Sequence, residues 1–369
     1  MKVVIIGGGV AGLSIGWRLR QAGGDVTVLE RAQPGRGATW ASAGMIAATA
    51  EIEAGDSPAA QLARHSARMW PQFAHEIEQV SGGAIGFRVD GTLLVARSGE
   101  EAAELRGRAG QGAELQFLSP EAARSLEPLL SQETTGALLD PGEAQVDNRA
   151  LGLALAIAFQ RAGGTLHINE PAVRFEIDNG RTAAVRTPFA SHTADAFIMA
   201  AGAWSSRIEG LPSEAVPPVI PVKGEMIALA SPDAALPKHM IWGNEVYLVP
   251  RSDRLLIGAT VTREGFDTRT TSAAAASLRE EATALLPTLV DWTLVEHWAG
   301  LRPGSPDDLP LIGPSSLEGL FIASGQFRNG ILFAPAIADA VRDLVLNNTF
   351  PECCRAFDPR RFAHNQRSP

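Results

Sequence analysis

The first thirty residues constrain the fold of this chain more than any other segment. An apolar, β-rich run at 2–6 leads into the sequence GGGVAG at 7–12, which places glycines at the spacing GxGxxG. A helical pattern follows as far as the glycines at 23–24, and a second apolar run at 25–29 ends at Glu30. This order of strand, glycine turn, helix and strand predicts the βαβ unit of a dinucleotide-binding sheet.

The residue types of this unit fit the chemistry of a bound dinucleotide. We expect Gly7 to form the tight turn, Gly9 to admit the pyrophosphate, and Gly12 to let the helix pack closely on the strand. The helix N-terminus would offer free N–H groups and the positive end of its dipole. Glu30 would accept hydrogen bonds from the ribose and would repel a 2′-phosphate, which disfavours NADP. The alternative, a structural turn without nucleotide, fits this context less well.

Three further segments favour FAD over NAD. A loop of small residues at 35–45 follows the second strand directly, where an extended FAD would pass. The sequence AAGAW at 200–204 ends another apolar strand with small residues, as is needed where backbone closes over a cofactor. The segment 325–330 ends a third apolar strand and begins a helix, whose N-terminus would stabilise negative charge on a reduced flavin.

The remaining chain alternates α/β blocks with antiparallel blocks, which indicates two domains that the chain crosses more than once. We predict a hairpin over 87–95 around the turn Asp90-Gly91, a short helix from Glu100 to Gln111, and a long helix from Gly330 to Asn347.

Composition excludes several other classes of protein. The chain has 369 residues, and 32 Lys and Arg against 41 Asp and Glu give a net charge of −9, which argues against nucleic-acid or anionic-lipid partners. The two cysteines, Cys353 and Cys354, exclude a disulfide framework and a CxxC metal site, although a vicinal disulfide remains an alternative to reduced thiols. The apolar run at 2–6 is too short for a signal peptide, and we expect a cytoplasmic protein without metal.

Nine short motifs are spread over nearly the whole chain. They are VVIIGGGVAG at 3–12, AGM at 43–45, AGAWS at 201–205, PVKGE at 221–225, YLVPR at 247–251, GAT at 258–260, WAGLRPG at 298–304, PLIG at 310–313 and FRNGI at 327–331. Together they resemble the D-amino-acid oxidase family of FAD-dependent oxidoreductases, and within it most of all the glycine oxidase branch. The first motif is shared by many flavoproteins, whereas the Tyr247 motif and the last motif are more specific.

This resemblance implies an α/β fold in which noncovalent FAD lies between two domains. One is a Rossmann-like FAD-binding domain, and the other is a substrate domain with a mainly antiparallel sheet. The FAD-binding domain would comprise residues 1–85, 141–218 and 305–369. The substrate-binding domain would comprise residues 86–140 and 219–304.

The resemblance also implies roles for individual residues. Arg302 and Tyr247 would hold the substrate carboxylate, with Arg328 near the flavin and the pocket mouth. Without the resemblance, a structural Arg302 in a turn and a packing role for Tyr247 remain open. The positions that match FAD contacts are Gly7, Gly9, Val10, Ala11, Gly12, Glu30, Arg31, Thr39, Ala43, Gly44, Met45, Val173, Gly202, Gln326, Phe327, Arg328, Asn329, Gly330, Ile331 and Leu332.

Two positions depart from the pattern of the resembled proteins. Glu245 stands where they carry histidine and Val261 where they carry methionine, and both positions would line the substrate pocket. Strand spacing predicts that Glu245 shares a face with Tyr247. The chain has no cysteine near the flavin before the last strand, so a thioether link to the cofactor is excluded.

The implied reaction is the oxidative deamination of glycine, sarcosine or small D-amino acids. A hydride would pass from Cα to flavin N5, O2 would give H2O2, and the imine would hydrolyse to a 2-oxo acid and ammonia. A homo-oligomer, a tetramer by resemblance, and a supply of iminoglycine for thiamine synthesis are further implications. The alternatives are a dehydrogenase that passes electrons to a quinone or partner protein, and a nucleotide-binding subunit without turnover.

Overall fold

The computed structural model describes residues 1–52, 55–110 and 114–362. Its strands, in chain order, are β1 (Lys2–Ile6), β2 (Asp25–Leu29), β3 (Met45–Ile46), β4 (Thr92–Ala96), β5 (Gln116–Leu118), β6 (Gly136–Asp140), β7 (Ala144–Gln145), β8 (Thr165–His167), β9 (Arg174–Asp178), β10 (Arg181–Arg186), β11 (Ser191–Thr193), β12 (Ala196–Met199), β13 (Ile220–Ala230), β14 (Met240–Trp242), β15 (Tyr247–Pro250), β16 (Leu255–Gly258), β17 (Thr293–Gly304), β18 (Leu311–Pro314) and β19 (Leu320–Ser324). The α-helices are α1 (Val10–Gln21), α2 (Ala38–Ala41), α3 (Ala48–Glu51), α4 (Pro58–Ser81), α5 (Gly99–Ala109), α6 (Pro120–Leu126), α7 (Asn148–Arg161), α8 (Ser272–Leu285) and α9 (Ala334–Asn347).

Two large sheets organise these elements. The first has six strands in the order β18-β19-β12-β1-β2-β8, all parallel except β18. The second has eight strands in the order β17-β13-β16-β15-β14-β4-β6-β5, all antiparallel except the β14–β4 pair. The predicted fold class, α/β with a mainly antiparallel second sheet, is confirmed.

The parallel sheet forms because its central strands are apolar on both faces. Val3, Val4 and Ile5 of β1 are fully buried, as expected for a strand covered by helices on one side and further chain on the other. Helix α1 packs against α7 and α9 over this sheet. Gly16 permits the approach of α7, since a Cβ there would lie 3.0 Å from the Phe159 ring.

Helix α4 is the longest helix in the described chain, and its ends follow ordinary capping rules. Ser57 accepts a hydrogen bond from the amide of Ala60 at 3.2 Å, Pro58 occupies the first turn, and Gly82 ends the helix with a φ of 70°. Among the described residues, no helix is long and apolar enough to span a bilayer.

Two predicted elements differ from the structure. The hairpin over 87–95 is wrong: only β4 forms there, and it pairs with β6 and β14, while Arg88 forms an isolated bridge to Gln145. The last helix begins at Ala334 rather than Gly330, because the preceding residues form turns and Phe327 adopts a φ of 48°. Gln111, the predicted end of another helix, lies outside the described residues.

The chain passes between the two sheets several times. Residues 2–29 and 165–199 contribute to the six-stranded sheet, residues 92–140 and 220–304 to the eight-stranded sheet, and residues 311–324 return to the first. We propose the domain division given above on this basis.

Candidate active site

A cavity of about 370 Å³ lies between the two sheets. Its walls come from the carboxyl ends of β1 and β2, the small-residue loop after β2, strands β13, β15 and β17, and the turn after β19. Ligands of parallel α/β sheets bind at the carboxyl ends of the strands. We call the part near β1 and β2 the nucleotide half and the part near β13, β15 and β17 the substrate half.

Close backbone packing shapes the nucleotide half. Gly7 has a φ of 109°, and a Cβ there would lie 2.3 Å from the carbonyl oxygen of Ala200. A Cβ on Gly12 would lie 2.0 Å from the carbonyl oxygen of Gly7. At Gly9, by contrast, the nearest atom is the Thr39 hydroxyl at 3.6 Å, so this glycine leaves open space over the helix N-terminus. The three glycines therefore stand where the fingerprint requires them.

Side-chain oxygens fix the loops around this turn. The Glu30 carboxylate accepts hydrogen bonds from the amides of Gly8 at 2.7 Å and Ala32 at 2.9 Å. The Thr39 hydroxyl accepts one from the amide of Val10 at 3.0 Å. Together these bonds hold the turn, the end of β2 and the small-residue loop in one arrangement.

Strand register brings two polar side chains together in the substrate half. Arg302 on β17 lies opposite Val222 of β13, and Tyr247 on β15 lies opposite Gly258 of β16. Both side chains line the cavity. Arg302 donates from Nη1 to the carbonyl oxygen of Thr260 at 3.1 Å, and this bond orients its guanidinium.

Two glycines make room for these side chains. A Cβ on Gly224 would lie 2.2 Å from Nη1 of Arg302, and a Cβ on Gly258 would lie 2.7 Å from the hydroxyl of Tyr247. The glycines of two sequence motifs, PVKGE and GAT, are thus explained by cross-strand packing.

The surroundings keep the Tyr247 phenol protonated. Burial raises the pKa of Tyr247 above its ordinary value, with Arg302 opposing the rise. The hydroxyl donates to the Met226 sulfur at 3.8 Å, a weak contact that a carboxylate oxygen would readily replace. A guanidinium and a phenol that face one small space can hold a carboxylate and fix its orientation.

A buried carboxylate that sequence reasoning did not identify completes this half. Glu51 lines the same cavity, its side chain is 7% exposed, and its Oε2 lies 3.2 Å from Nε of Arg328. Burial raises the pKa of Glu51, and the charges of Arg328 and Arg302 oppose that rise. The sequence around it, EIEAGD, is charged and typical of a solvated loop, so no local pattern indicates a residue inside a cavity.

A second residue without a predicted role ties the two halves together. Arg251, just beyond β15, donates to the carbonyl oxygens of Ala43 at 2.5 Å and Val146 at 2.8 Å. Burial lowers the pKa of Arg251 to about 10, which still leaves it charged at neutral pH. It holds the loop that carries Ala43 and Gly44 against the substrate sheet.

The predicted site residues are distributed as follows. Arg302, Tyr247 and Arg328 line the cavity together with Gly7, Gly9, Val10, Ala11, Glu30, Arg31, Thr39, Ala43, Gly44, Met45, Gly202, Gln326, Phe327, Gly330 and Ile331. The residues outside its lining are Gly12, Val173, Asn329, Leu332, Glu245 and Val261.

The two departures from the family pattern lie at the surface. Glu245 is exposed in the turn before β15, and since the strand begins at Tyr247 the two residues do not share a strand face. Val261 is 53% exposed beyond β16. The structure therefore gives neither residue a contact with the cavity.

The nucleotide half has the features that FAD requires. The N-terminus of α1 has no side-chain cap at Gly9, and apart from the Val10 amide, which is bonded to Thr39, its first amides can receive phosphate oxygens. Gly202 leaves open space beside the cavity. Nε2 of Gln326, which lines the cavity, is buried without a hydrogen-bond partner among the described residues. A polar ligand would satisfy it.

Comparison with known proteins decides the family. The family model described as DAO, FAD dependent oxidoreductase, matches residues 2–344. This chain belongs to the DAO family of FAD-dependent oxidoreductases. The structure places Gly7 and Gly9 and the long antiparallel strands β13 and β17 on opposite sides of one cavity.

Two relatives of known name cover more than nine tenths of the chain. A glycine oxidase of Geobacillus kaustophilus is 36% identical over 351 residues, which is 93% of this chain and 92% of that protein. A crystal structure of glycine oxidase from Geobacillus kaustophilus superposes with a TM-score of 0.92 and covers 97% of this chain and 98% of the other. An iminodiacetate oxidase of Chelativorans sp. BNC1 is 26% identical, with a TM-score of 0.87, covering 97% and 98% of the two chains.

A longer relative matches through one part of its length. The bifunctional protein ThiO/ThiG of Trichormus variabilis is 33% identical over 365 residues, which is 98% of this chain but 55% of that protein. The chain therefore spans about half the length of these bifunctional relatives.

Proposed function

We propose that this chain is an oxidase that deaminates glycine or other small amino acids and amines, with noncovalent FAD as its cofactor. The observation that carries the proposal is the convergence of Arg302 and Tyr247 on a cavity continuous with the dinucleotide turn at Gly7. The full-length similarity to glycine oxidases supports the same activity.

Each half of the cavity would bind one reactant. The amides at the start of α1, the Glu30 carboxylate and the Gln326 amide would hold FAD across the nucleotide half. When bound, FAD supplies the chemistry by accepting a hydride from the substrate Cα and passing the electrons to O2, which yields H2O2.

Arg302 and Tyr247 would hold the substrate by its carboxylate. A bidentate contact from Arg302, with a hydrogen bond from Tyr247, fixes the position of Cα relative to the cofactor. No side chain need act as a general base if the amine binds in its neutral form. The imine product hydrolyses to a 2-oxo acid and ammonia, and unhydrolysed iminoglycine would be available for thiamine synthesis.

The test is anaerobic mixing of the purified yellow protein with glycine, sarcosine and D-alanine, followed by admission of air. We expect the flavin absorbance to bleach and then to return with release of H2O2. Methylamine, which is glycine without its carboxylate, is the matched control and should bleach the flavin far more slowly. A flavin that bleaches but does not recover in air would instead identify a dehydrogenase.

The cofactor linkage is tested separately. Denaturation should release all the flavin into the supernatant as FAD. Flavin that stays on the unfolded chain, or a colourless protein that binds NAD, would contradict the proposal.

A further inference from the structure

Among the described residues, the substrate half holds two cations and one carboxylate. Arg302, Arg328 and Glu51 all line the cavity, and Oε2 of Glu51 lies 3.2 Å from Nε of Arg328. The Arg328 guanidinium also lies 5.7 Å from the centre of the Trp242 ring. Two positive charges and one negative charge leave one net positive charge, which matches one substrate carboxylate.

Glu51 is held in this position by the turn that carries it. The amides of Thr49 and Ala50 donate to Oε1 of Glu143 at 2.5 and 3.1 Å. Arg108 donates to the carbonyl oxygen of Thr49 at 2.7 Å. These bonds fix the backbone of α3 just before Glu51, and so place the Glu51 side chain beside Arg328.

We propose that Glu51 makes the enzyme select substrates with a single carboxylate and reject those with a second acidic group. It does so by pairing with Arg328, which is then not available to a second substrate anion. This rests on the proposed function, because it takes Arg302 to be the site of the first carboxylate. Glu51 is then a specificity-determining residue, and the compounds rejected are dicarboxylic amines.

The physical basis is the cost of placing a second anion beside a buried carboxylate. A second carboxylate would either lie beside Glu51, as a like charge, or displace it from Arg328 and leave it buried without a partner. Both outcomes are unfavourable, whereas an uncharged group of the same size neither repels Glu51 nor displaces it. A repulsive element of this kind discriminates without any new attractive contact.

The test uses two ethers that cannot be oxidised as amines. Methoxyacetate has one carboxylate and diglycolate has two, while the atoms around the ether oxygen are the same. Their dissociation constants are measured from the flavin absorbance of the FAD-loaded protein at about pH 8.5, where the carboxylates of both ligands are fully ionised. The variants are Glu51→Gln, which removes the charge and keeps the shape, Glu51→Ala as a second neutral variant, and Glu51→Asp, which keeps the charge.

We expect wild type to bind methoxyacetate at least about tenfold more tightly than diglycolate. The neutral variants should reduce the ratio of the two dissociation constants, diglycolate over methoxyacetate, by about tenfold, and Glu51→Asp should preserve most of that ratio. A ratio that is equal in wild type and in the neutral variants would overturn the proposal, and so would tight binding of diglycolate by wild type.

Anaerobic reduction by sarcosine separates this inference from the proposed function. If sarcosine bleaches the flavin while the ratio of the ethers does not depend on Glu51, the inference fails and the function stands. If no amine bleaches the flavin but the ratio depends on Glu51, the inference stands and the function fails. Wild type that binds neither ether would contradict both.

Discussion

Glycines build both halves of the cavity, but they meet different neighbours. In the nucleotide half, Gly7 and Gly12 lie against backbone carbonyl oxygens, with Cβ positions 2.3 and 2.0 Å away. In the substrate half, Gly224 and Gly258 lie against the tips of Arg302 and Tyr247. Backbone cannot move without unfolding the turn, whereas a side-chain tip can. We therefore expect substitutions in the first half to abolish cofactor binding and those in the second half to impair substrate binding.

The largest effect is expected for Gly12→Ala. Its Cβ would collide with the carbonyl oxygen of Gly7, which belongs to the turn itself. The purified variant should retain no FAD, measured as flavin absorbance per protein. A variant that keeps its full FAD content would contradict the contrast between the two halves.

A buried carboxyl outside the cavity, Glu143, makes the stability of the protein depend on pH. Burial raises the pKa of Glu143 to about 8. Between the ordinary carboxyl pKa and pH 8, Glu143 is therefore protonated in the folded state but ionised in the unfolded state. The free energy of unfolding of the protein then falls as pH rises, by up to about 1.4 kcal/mol per pH unit. Glu143→Gln should remove this slope, measured by denaturant unfolding at pH 5, 6.5 and 8. Parallel curves for the two proteins would show that the pKa of Glu143 is not raised in the folded state.

Arg302→Lys tests the substrate half directly. Loss of one charged hydrogen bond of a bidentate pair corresponds to about 1.5–3 kcal/mol, so KM for glycine should rise about ten- to a hundredfold. The slow reaction with methylamine should not change. An equal loss for both substrates would mean that Arg302 is a structural residue.

Gly224→Ala should give a smaller effect of the same kind. The added Cβ would push the Arg302 guanidinium aside, and KM for glycine should rise by up to about tenfold. FAD content should stay at the wild-type level, in contrast to Gly12→Ala. If FAD is lost here as well, the two halves do not differ in the way the glycine contacts indicate.

Gly107→Ala is the control for all glycine substitutions. Gly107 is exposed in α5, and a Cβ there meets nothing within 4 Å. The substitution should leave KM and FAD content unchanged and raise the free energy of unfolding by about 0.5–1 kcal/mol, because alanine favours helix. A loss of activity in this variant would remove the basis for comparing the others.

The same contrast explains how much the sequence could predict. The nucleotide half is local: Gly7, Gly12 and Glu30 fall within one βαβ unit, so spacing alone indicates the fold and the ligand class. The substrate half depends on register between strands far apart in the chain. Nothing near Gly224 indicates that it faces Arg302, some eighty residues later.

Two residues, Glu245 and Glu51, lie where the sequence did not predict them, and here too the position is set by tertiary structure rather than by local sequence pattern. Glu245 was predicted to share a face with Tyr247, but the strand begins only at Tyr247 and Glu245 stays in the turn. Glu51 lies in a polar segment, and its place in the cavity goes with contacts that Thr49, two residues before it, makes to Glu143 and Arg108, from distant segments.

The order of the strands has a consequence for how the protein is made. Strand β12 lies beside β1 at the centre of the six-stranded sheet, yet β19, its partner on the other side, comes about 120 residues after β12. At about 5–20 residues per second, a ribosome needs roughly 6–24 s to synthesise that interval. During that time the nascent chain carries β12 with one edge unpaired and all four side chains apolar, and that edge is available to chaperones until β19 emerges.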